Sequence, residues 1–241
     1  MLTRSFAGTQ APTADPRTLG LVRTRFMRTV YQWMAGGLAL TAATALLVVH
    51  NPTLMSHLVL RRGVFLGLVV AELGLVVWLS GWIQKMSVRT ASWAFLAYSV
   101  LNGLTLSVVF LTYTGSSIAL TFGVCSVTFA AAAAYGTVTG RDLSGAGSFA
   151  FMGLIGVLVG SVLNWFLRSP AMDYLITYAG VLVFVILAAY DAQKVQRIGI
   201  AAAAQGEAAL SRHAILGALA LYLDFINLFL FLLRIFGRGR D

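Results

Sequence analysis

The chain has 241 residues, of which 59% are apolar and only 10% charged, with a net charge of +9. A soluble globular domain carries about 25% charged residues, so too few charges remain here to cover a water-facing surface, and the bilayer is the implied solvent. The basic excess does not describe a nucleic-acid binder: the 17 Lys and Arg sit in the tails and in short gaps between apolar runs, not in a patch interleaved with aromatics.

Residues 1–27 are polar, contain Arg4, Arg17, Arg23 and Arg25 with Pro12 and Pro16, and hold no apolar core of a cleaved signal. They are expected to form a mobile tail ahead of one transmembrane domain over 28–237. A span needs about 20 mostly apolar residues, and seven segments qualify: 29–49, 64–83, 91–112, 118–139, 148–167, 174–193 and 214–234. Lipid offers no hydrogen bonds, so each run closes its own backbone bonds as a helix. Their length and lack of period-2 alternation exclude a barrel. The gaps carry turn residues such as Asn51-Pro52, Gly115-Ser116-Ser117 and Ser169-Pro170. Only the gap at 194–213 is long, and its Ala-rich stretch at 201–209 is expected to form a short helix along the interface. The fold class is all-α, a polytopic membrane bundle of seven transmembrane helices.

Eleven basic residues fall on the side of the N-terminus and six on the other. By the positive-inside tendency this places the N-terminus in the cytoplasm, in what is expected to be a bacterial inner membrane. Arg234, Arg238 and Arg240 lie on the outer side against that trend, which leaves open whether the last run crosses fully or returns. Gly156 and Gly160 form a GxxxG in the fifth run, with Gly153 a turn earlier, and Ala130 to Ala134 with Gly136 line the fourth. Both are expected to be close-packing faces. Cys125 lies within an apolar run and reads as a small core residue. His50, His57 and His213 lack ligand spacing, so no resident metal or other cofactor is expected.

A carboxylate at the bilayer centre costs about 2.5–3.5 kcal/mol on insertion scales, so an acid in a span is a functional candidate by default. Asp15, Asp142, Asp173, Glu207 and Asp241 lie in tails or gaps, leaving Glu72, Asp191 and Asp224. Asp224 is near mid-depth in 214–234, with Asn227 one turn on and Gly217 and Ala220 leaving room for a neighbour. Leu223, Ile226, Leu230 and Leu233 point in other directions, suited to lipid. Asp191 stands at the end of the sixth run in Tyr190-Asp191-Ala192-Gln193-Lys194. Either it pairs with Lys194 at the interface, or the helix runs on to about residue 198 and Asp191 sits about 10 Å inside. Asp224 would then be about 15 Å deep from the same side, a mismatch that tilt can close. Glu72 lies mid-span between small residues and reads equally as a ligand, a proton relay or a hydrogen-bonded core acid.

Read in order, these segments resemble the Bax-inhibitor (transmembrane Bax inhibitor motif) family, bacterial type. The match is carried by Tyr190-Asp191-Ala192-Gln193-Lys194 and by Leu221 to Phe229 around Asp224 and Asn227. Val30-Tyr31-Gln32-Trp33-Met34, Ala71-Glu72-Leu73-Gly74, Leu101-Asn102-Gly103-Leu104-Thr105, and Tyr135-Gly136 followed by Arg141-Asp142-Leu143-Ser144 add weaker support. The resemblance implies a seven-helix bundle with a central last helix and a pH-sensitive calcium leak controlled by a pair of aspartates, here Asp191 and Asp224. A basic residue on the second helix latches that pair in some members. Ile83 stands at about that position here, which makes nearby Lys85 the candidate latch, and Ala192 replaces a common threonine.

Two carboxylates meeting in a low-dielectric bundle should share a proton. Proton number then sets both helix repulsion and the attraction for a hard, oxygen-seeking cation such as calcium, bound transiently by Asp191 and Asp224. Glu72, Asn102 and Asn227 are candidates to extend the ion pathway. Paired intramembrane aspartates also suggest an aspartyl protease, but that chemistry uses Gly-x-Gly-Asp and Pro-Ala-Leu. This chain has Tyr222-Leu223-Asp224 and no proline after Pro170, so no enzyme is expected. The alternative is a stress-response adaptor that binds other membrane proteins without conducting ions. Expected partners are the lipid bilayer, calcium and, for an adaptor, other membrane proteins.

Overall fold

The computed structural model describes residues 16–239. Its seven long helices are α1 (Pro16–Val49), α2 (Arg62–Trp82), α3 (Val88–Leu106), α4 (Gly115–Val138), α5 (Ser144–Leu167), α6 (Pro170–Ala203) and α7 (Glu207–Phe236). Each lies in a segment long and apolar enough to cross a membrane. Short turns of helix join α1 to α2, where Asn51 caps Pro52–Leu54 through its side chain, and extend α3 at Val109–Thr112. No strand occurs among the described residues beyond an isolated bridge between Tyr113 and Gly239.

Helix α7 is the centre of the bundle and packs on α1, α3, α4 and α6. An apolar helix without a polar face buries itself on all sides. Ile226 and Leu233, expected to face lipid, are buried here, while Leu223 and Leu230 are half-buried. At the other extreme, Leu79 is the buried residue of α2, which lies at the edge.

Two segments differ from expectation. Residues 16–27, expected within a mobile tail, belong to α1, and residues 1–15 lie outside the described set, as do Arg240 and Asp241. The polar stretch hides an anchor: Phe26 and Met27 are buried, with the Phe26 ring filling the space left by Gly199 of α6. The expected interfacial helix at 201–209 is likewise replaced. Val195, Gly199 and Ala202 are buried at helical spacing, so α6 continues to Ala203. A tight turn at 204–206, with Gly206 at φ 95°, starts α7.

That turn shares one end of the bundle with the α4–α5 loop and Arg23. Arg23 Nη2 donates to Thr137 O at 2.5 Å, and Gln193 Nε2 donates to Arg141 O at 2.9 Å. The Leu143 N–H donates to Gln193 Oε1 at 3.0 Å. Asp142 Oδ1 accepts from Ser144 Oγ at 2.8 Å and from Arg197 Nη1 at 2.9 Å. At the far end Ser117 Oγ donates to Phe236 O at 3.3 Å and accepts from the Arg238 N–H at 2.8 Å. Helix α7 therefore runs from one end of the bundle to the other and is not re-entrant.

Close approach between helices depends on particular glycines. A Cβ at Gly136 of α4 would collide with the carbonyl of Ala189 on α6. On α5 the packing face is Gly147, Ala150, Gly153 and Val157, with Gly147 beneath the Tyr190 ring. A Cβ at Gly160 would meet Ile176 of α6 at 3.4 Å, so Gly160 is on that face, whereas one at Gly156 would meet nothing within 4 Å; the two are therefore not a helix-packing pair within the chain.

Two outcomes are expected. Gly136→Ala should destabilise the purified protein by about 1–3 kcal/mol through overpacking, whereas Gly156→Ala should be neutral or stabilise by up to about 1 kcal/mol, the helix-propensity gain. Thermal unfolding in detergent reads both, and equal losses would reject this packing face. Separately, hydrogen bonds from the Ser144 side chain and backbone, then from Arg197, hold Asp142 below its usual value of 3.8. A depressed carboxyl stabilises its clasp above that value and loses it as pH falls through the lowered one. Amide exchange over 139–144 should therefore accelerate under strong acid, and in Asp142→Asn at neutral pH. Unchanged exchange in the variant would show that Asp142 does not secure the loop.

Candidate functional site

Asp224 occupies the middle reach of α7 and is only 5% exposed. Three buried side-chain atoms among the described residues lack a hydrogen-bond partner: Thr121 Oγ1, Arg212 Nε and Asp224 Oδ2. Of these residues, Asp224 alone lines the large cavity, about 870 Å³ in volume. An orphaned carboxyl oxygen at such depth is costly unless it faces a space that a polar group or ion can enter.

Helix α6 brings Asp191 to the same cavity. The two helices run antiparallel from their tight turn and meet where Val195 fills the space left by Gly217, and again, deeper, where the Phe231 ring covers Gly180. From the first meeting point Asp191 lies four residues along α6 and Asp224 seven along α7. The difference is about 4.5 Å of helix rise, within reach of two side chains pointing towards each other. Asp191 is half-buried, and Lys194 lines the same cavity.

The continuation of α6 is what sinks Asp191 below the end of its helix. No ion pair joins it to Lys194 within 4.0 Å; the Lys194 ammonium instead lies over the Tyr190 ring, 5.5 Å from its centroid. Asn227 lines the deep end of the cavity, and its Nδ2 donates back to Leu223 O at 2.8 Å. His213 lines the opposite, shallow end, with Nδ1 2.8 Å from Ala209 O. Asp191, Asp224 and Asn227 are thus brought together.

Glu72, Asn102 and Lys85 are not among the residues lining that cavity. Thr105 Oγ1 donates to Glu72 Oε1 at 2.7 Å. Tyr222 OH donates to Asn102 Oδ1 at 3.1 Å and lies 2.6 Å from Thr41 Oγ1. Tyr222 and Asp224 are two residues apart, about 200° around a helix, so this second polar cluster occupies the opposite side of α7. Glu72 and Asn102, expected as extensions of the ion pathway, are therefore held in this cluster and not brought together with the aspartates. Lys85 is exposed beyond the end of α2, while Ile83 is buried. Lys194 of α6 shares the cavity with both aspartates.

Sequence reasoning missed Tyr222, Thr41 and Gln193. Tyr222 is fully buried and donates to Asn102, Thr41 bonds Ser99 O at 2.9 Å, and Gln193 ties the α4–α5 loop to α6 two residues from Asp191. The hint lay in polar groups within spans, since each has to find a partner there.

The family described as "Inhibitor of apoptosis-promoting Bax1" matches residues 23–241. "Inner membrane protein YbhL" of Escherichia coli (strain K12) is 46% identical over 230 residues, covering 93% of this chain and 98% of the relative. An uncharacterized protein of Borreliella burgdorferi is 38% identical, covering 92% and 95% respectively. Another from Rickettsia prowazekii is 36% identical, covering 98% of this chain and 99% of its own. Matching of this extent, on a bundle of seven apolar helices around a central last helix, makes the chain a member of the Bax-inhibitor family of membrane proteins.

Proposed function

We propose that the protein is a pH-sensitive calcium leak in which Asp191 and Asp224 act as a pair. The observation that carries this reading is the unpartnered Oδ2 of Asp224 in a cavity that Asp191 also lines. Besides the two aspartates, the ionisable groups lining this space are Tyr190 and Lys194 from α6 and His213 from α7; α2 and α5 contribute none. Two carboxylates in a medium that screens poorly repel strongly when both are ionised, so gain or loss of one proton changes the packing of α6 against α7. Calcium takes 6–8 oxygen ligands, and two carboxylates with the Asn227 amide supply too few for a closed cage. That suits a partly hydrated ion in transit better than a resident one. No catalytic role is assigned.

The proposed place is a bacterial inner membrane, as the name of the Escherichia coli relative states for that protein, with the N-terminus in the cytoplasm. Its support is the eleven-to-six asymmetry of basic residues. Reporters fused to the N-terminus or inserted in the 139–143 loop should report cytoplasmic, and one after Arg238 periplasmic. Reversed signals would overturn the orientation.

Calcium entry into liposomes containing only this protein should vary with pH. Asp191→Asn and Asp224→Asn should each abolish that dependence to a similar extent, and the double variant should add little, because residues that share a proton are coupled. Glu72→Gln, on the far side of α7, should leave the pH response in place. A wild-type protein that conducts no calcium at any pH would put the adaptor reading first. A double variant that keeps the full response would spare the leak and reject the aspartate pair as its sensor.

A further inference from the structure

The large cavity has an apolar wall that is continuous with the outside of the bundle. Phe151, Met152 and Leu158 of α5 line it, yet are 58%, 71% and 58% exposed. On the opposite rim α2 contributes Ser80, itself exposed. The space therefore opens sideways between α2 and α5, at a depth where the surrounding medium is hydrocarbon. Along α7 it extends from His213 to Asn227, fourteen residues or about 21 Å of rise. One leaflet of acyl chains is about 15 Å deep, half of the hydrocarbon core. Its volume falls within the range of about 300–1,000 Å³ typical of ligand-holding cavities.

The shallow end differs chemically from the rest. Lys194 is exposed, makes no ion pair within 4.0 Å among the described residues and rests on the Tyr190 ring, and His213 faces the cavity at the same end. Below them the walls are Leu187 and Leu223 with the α5 side chains. A basic rim above a long apolar slot that opens to the bilayer matches an amphiphile with a phosphate head.

From this we infer that the cavity is a phospholipid site: one acyl chain enters between α2 and α5 and lies along α7, and the phosphate meets Lys194 and His213. Electrostatic attraction and charge-assisted hydrogen bonding hold the head, and removal of the chain's methylene surface from competing contacts holds the tail. The chain covers the apolar wall and leaves Asp191 and Asp224 behind it. Lipid binding uses the same cavity as the proposed leak but does not require conduction, so it stands or falls independently of the calcium reading.

The test is photo-labelling of the full-length protein in vesicles of phosphatidylethanolamine and phosphatidylglycerol. The vesicles carry a trace of phosphatidylglycerol with a diazirine at the end of one chain, and adducts are mapped by mass spectrometry. Adducts are expected on the deep inward residues Leu187 and Leu223, in addition to the outward residues Leu163, Trp165 and Leu175, which any surrounding lipid reaches. Lys194→Gln should lower the inward adducts about tenfold, the loss expected for one charge-assisted contact. The outward adducts should stay unchanged and so certify that the variant is folded and inserted. Adducts confined to the outward residues would overturn the site. Inward adducts indifferent to Lys194→Gln would overturn its assignment to a phosphate-headed lipid.

Discussion

Asp224 sits on the helix around which α1, α3, α4 and α6 pack, and a carboxyl at that depth has to be neutral, paired or facing a polar space. The arrangement of α6 follows from that need. Gly217 and Gly180 let α6 and α7 approach at two levels, which holds Asp191 opposite the middle of α7. Gly136 lets α4 press against the backbone of α6 near Ala189, behind the same helix. Small residues here do more than bring helices together. They set the depth at which two acids face one cavity.

The two sides of α7 treat their polar groups differently. On the Tyr222 side, donors and acceptors from α1, α3 and α7 satisfy one another through Thr41, Asn102 and Tyr222, and Thr105 of α3 binds Glu72 of α2. The rings of Phe95 and Tyr98 pack edge-on against Tyr222. A satisfied network of this kind rigidifies the helices that make it. The Asp224 side keeps an oxygen without a partner beside open volume. Any rearrangement driven by charge therefore falls on α5 and α6, against a fixed frame of α1, α3 and α7.

The helical class and the seven spans were legible in the sequence, because run length and the need for internal hydrogen bonds leave few choices in lipid; the central place of the last helix was implied only by the family resemblance. Asp191 and Asp224 stood out for the same reason. Less legible were features that depend on which partner a residue meets. The polar stretch before residue 28 gives no sign that Phe26 will find Gly199 of α6. The spacing of Gly156 and Gly160 suggests a shared contact, yet the face of α5 that meets α6 runs through Gly147, Gly153 and Gly160 and leaves Gly156 outside it. Glu72 could be recognised as an unusual acid, but its bond to Thr105 belongs to the register of α2 against α3, and that register is not written in either segment alone.

The helices are also unequal in length. α1 and α6 have 34 residues each and α7 has 30, whereas α2 has 21. At about 1.5 Å per residue these are about 51, 45 and 32 Å, against a hydrocarbon core of about 30 Å. The long helices absorb changes in bilayer thickness by tilting or by projecting further, and α2 has almost no length to spare. Among α2, α6 and α7, which all line the cavity, a thicker membrane would therefore draw the ends of α2 into hydrocarbon first, with Arg62 at one end and Lys85 just beyond the other. Hydrophobic mismatch thus bears on the lateral opening through its α2 lip more than through the long helices behind it.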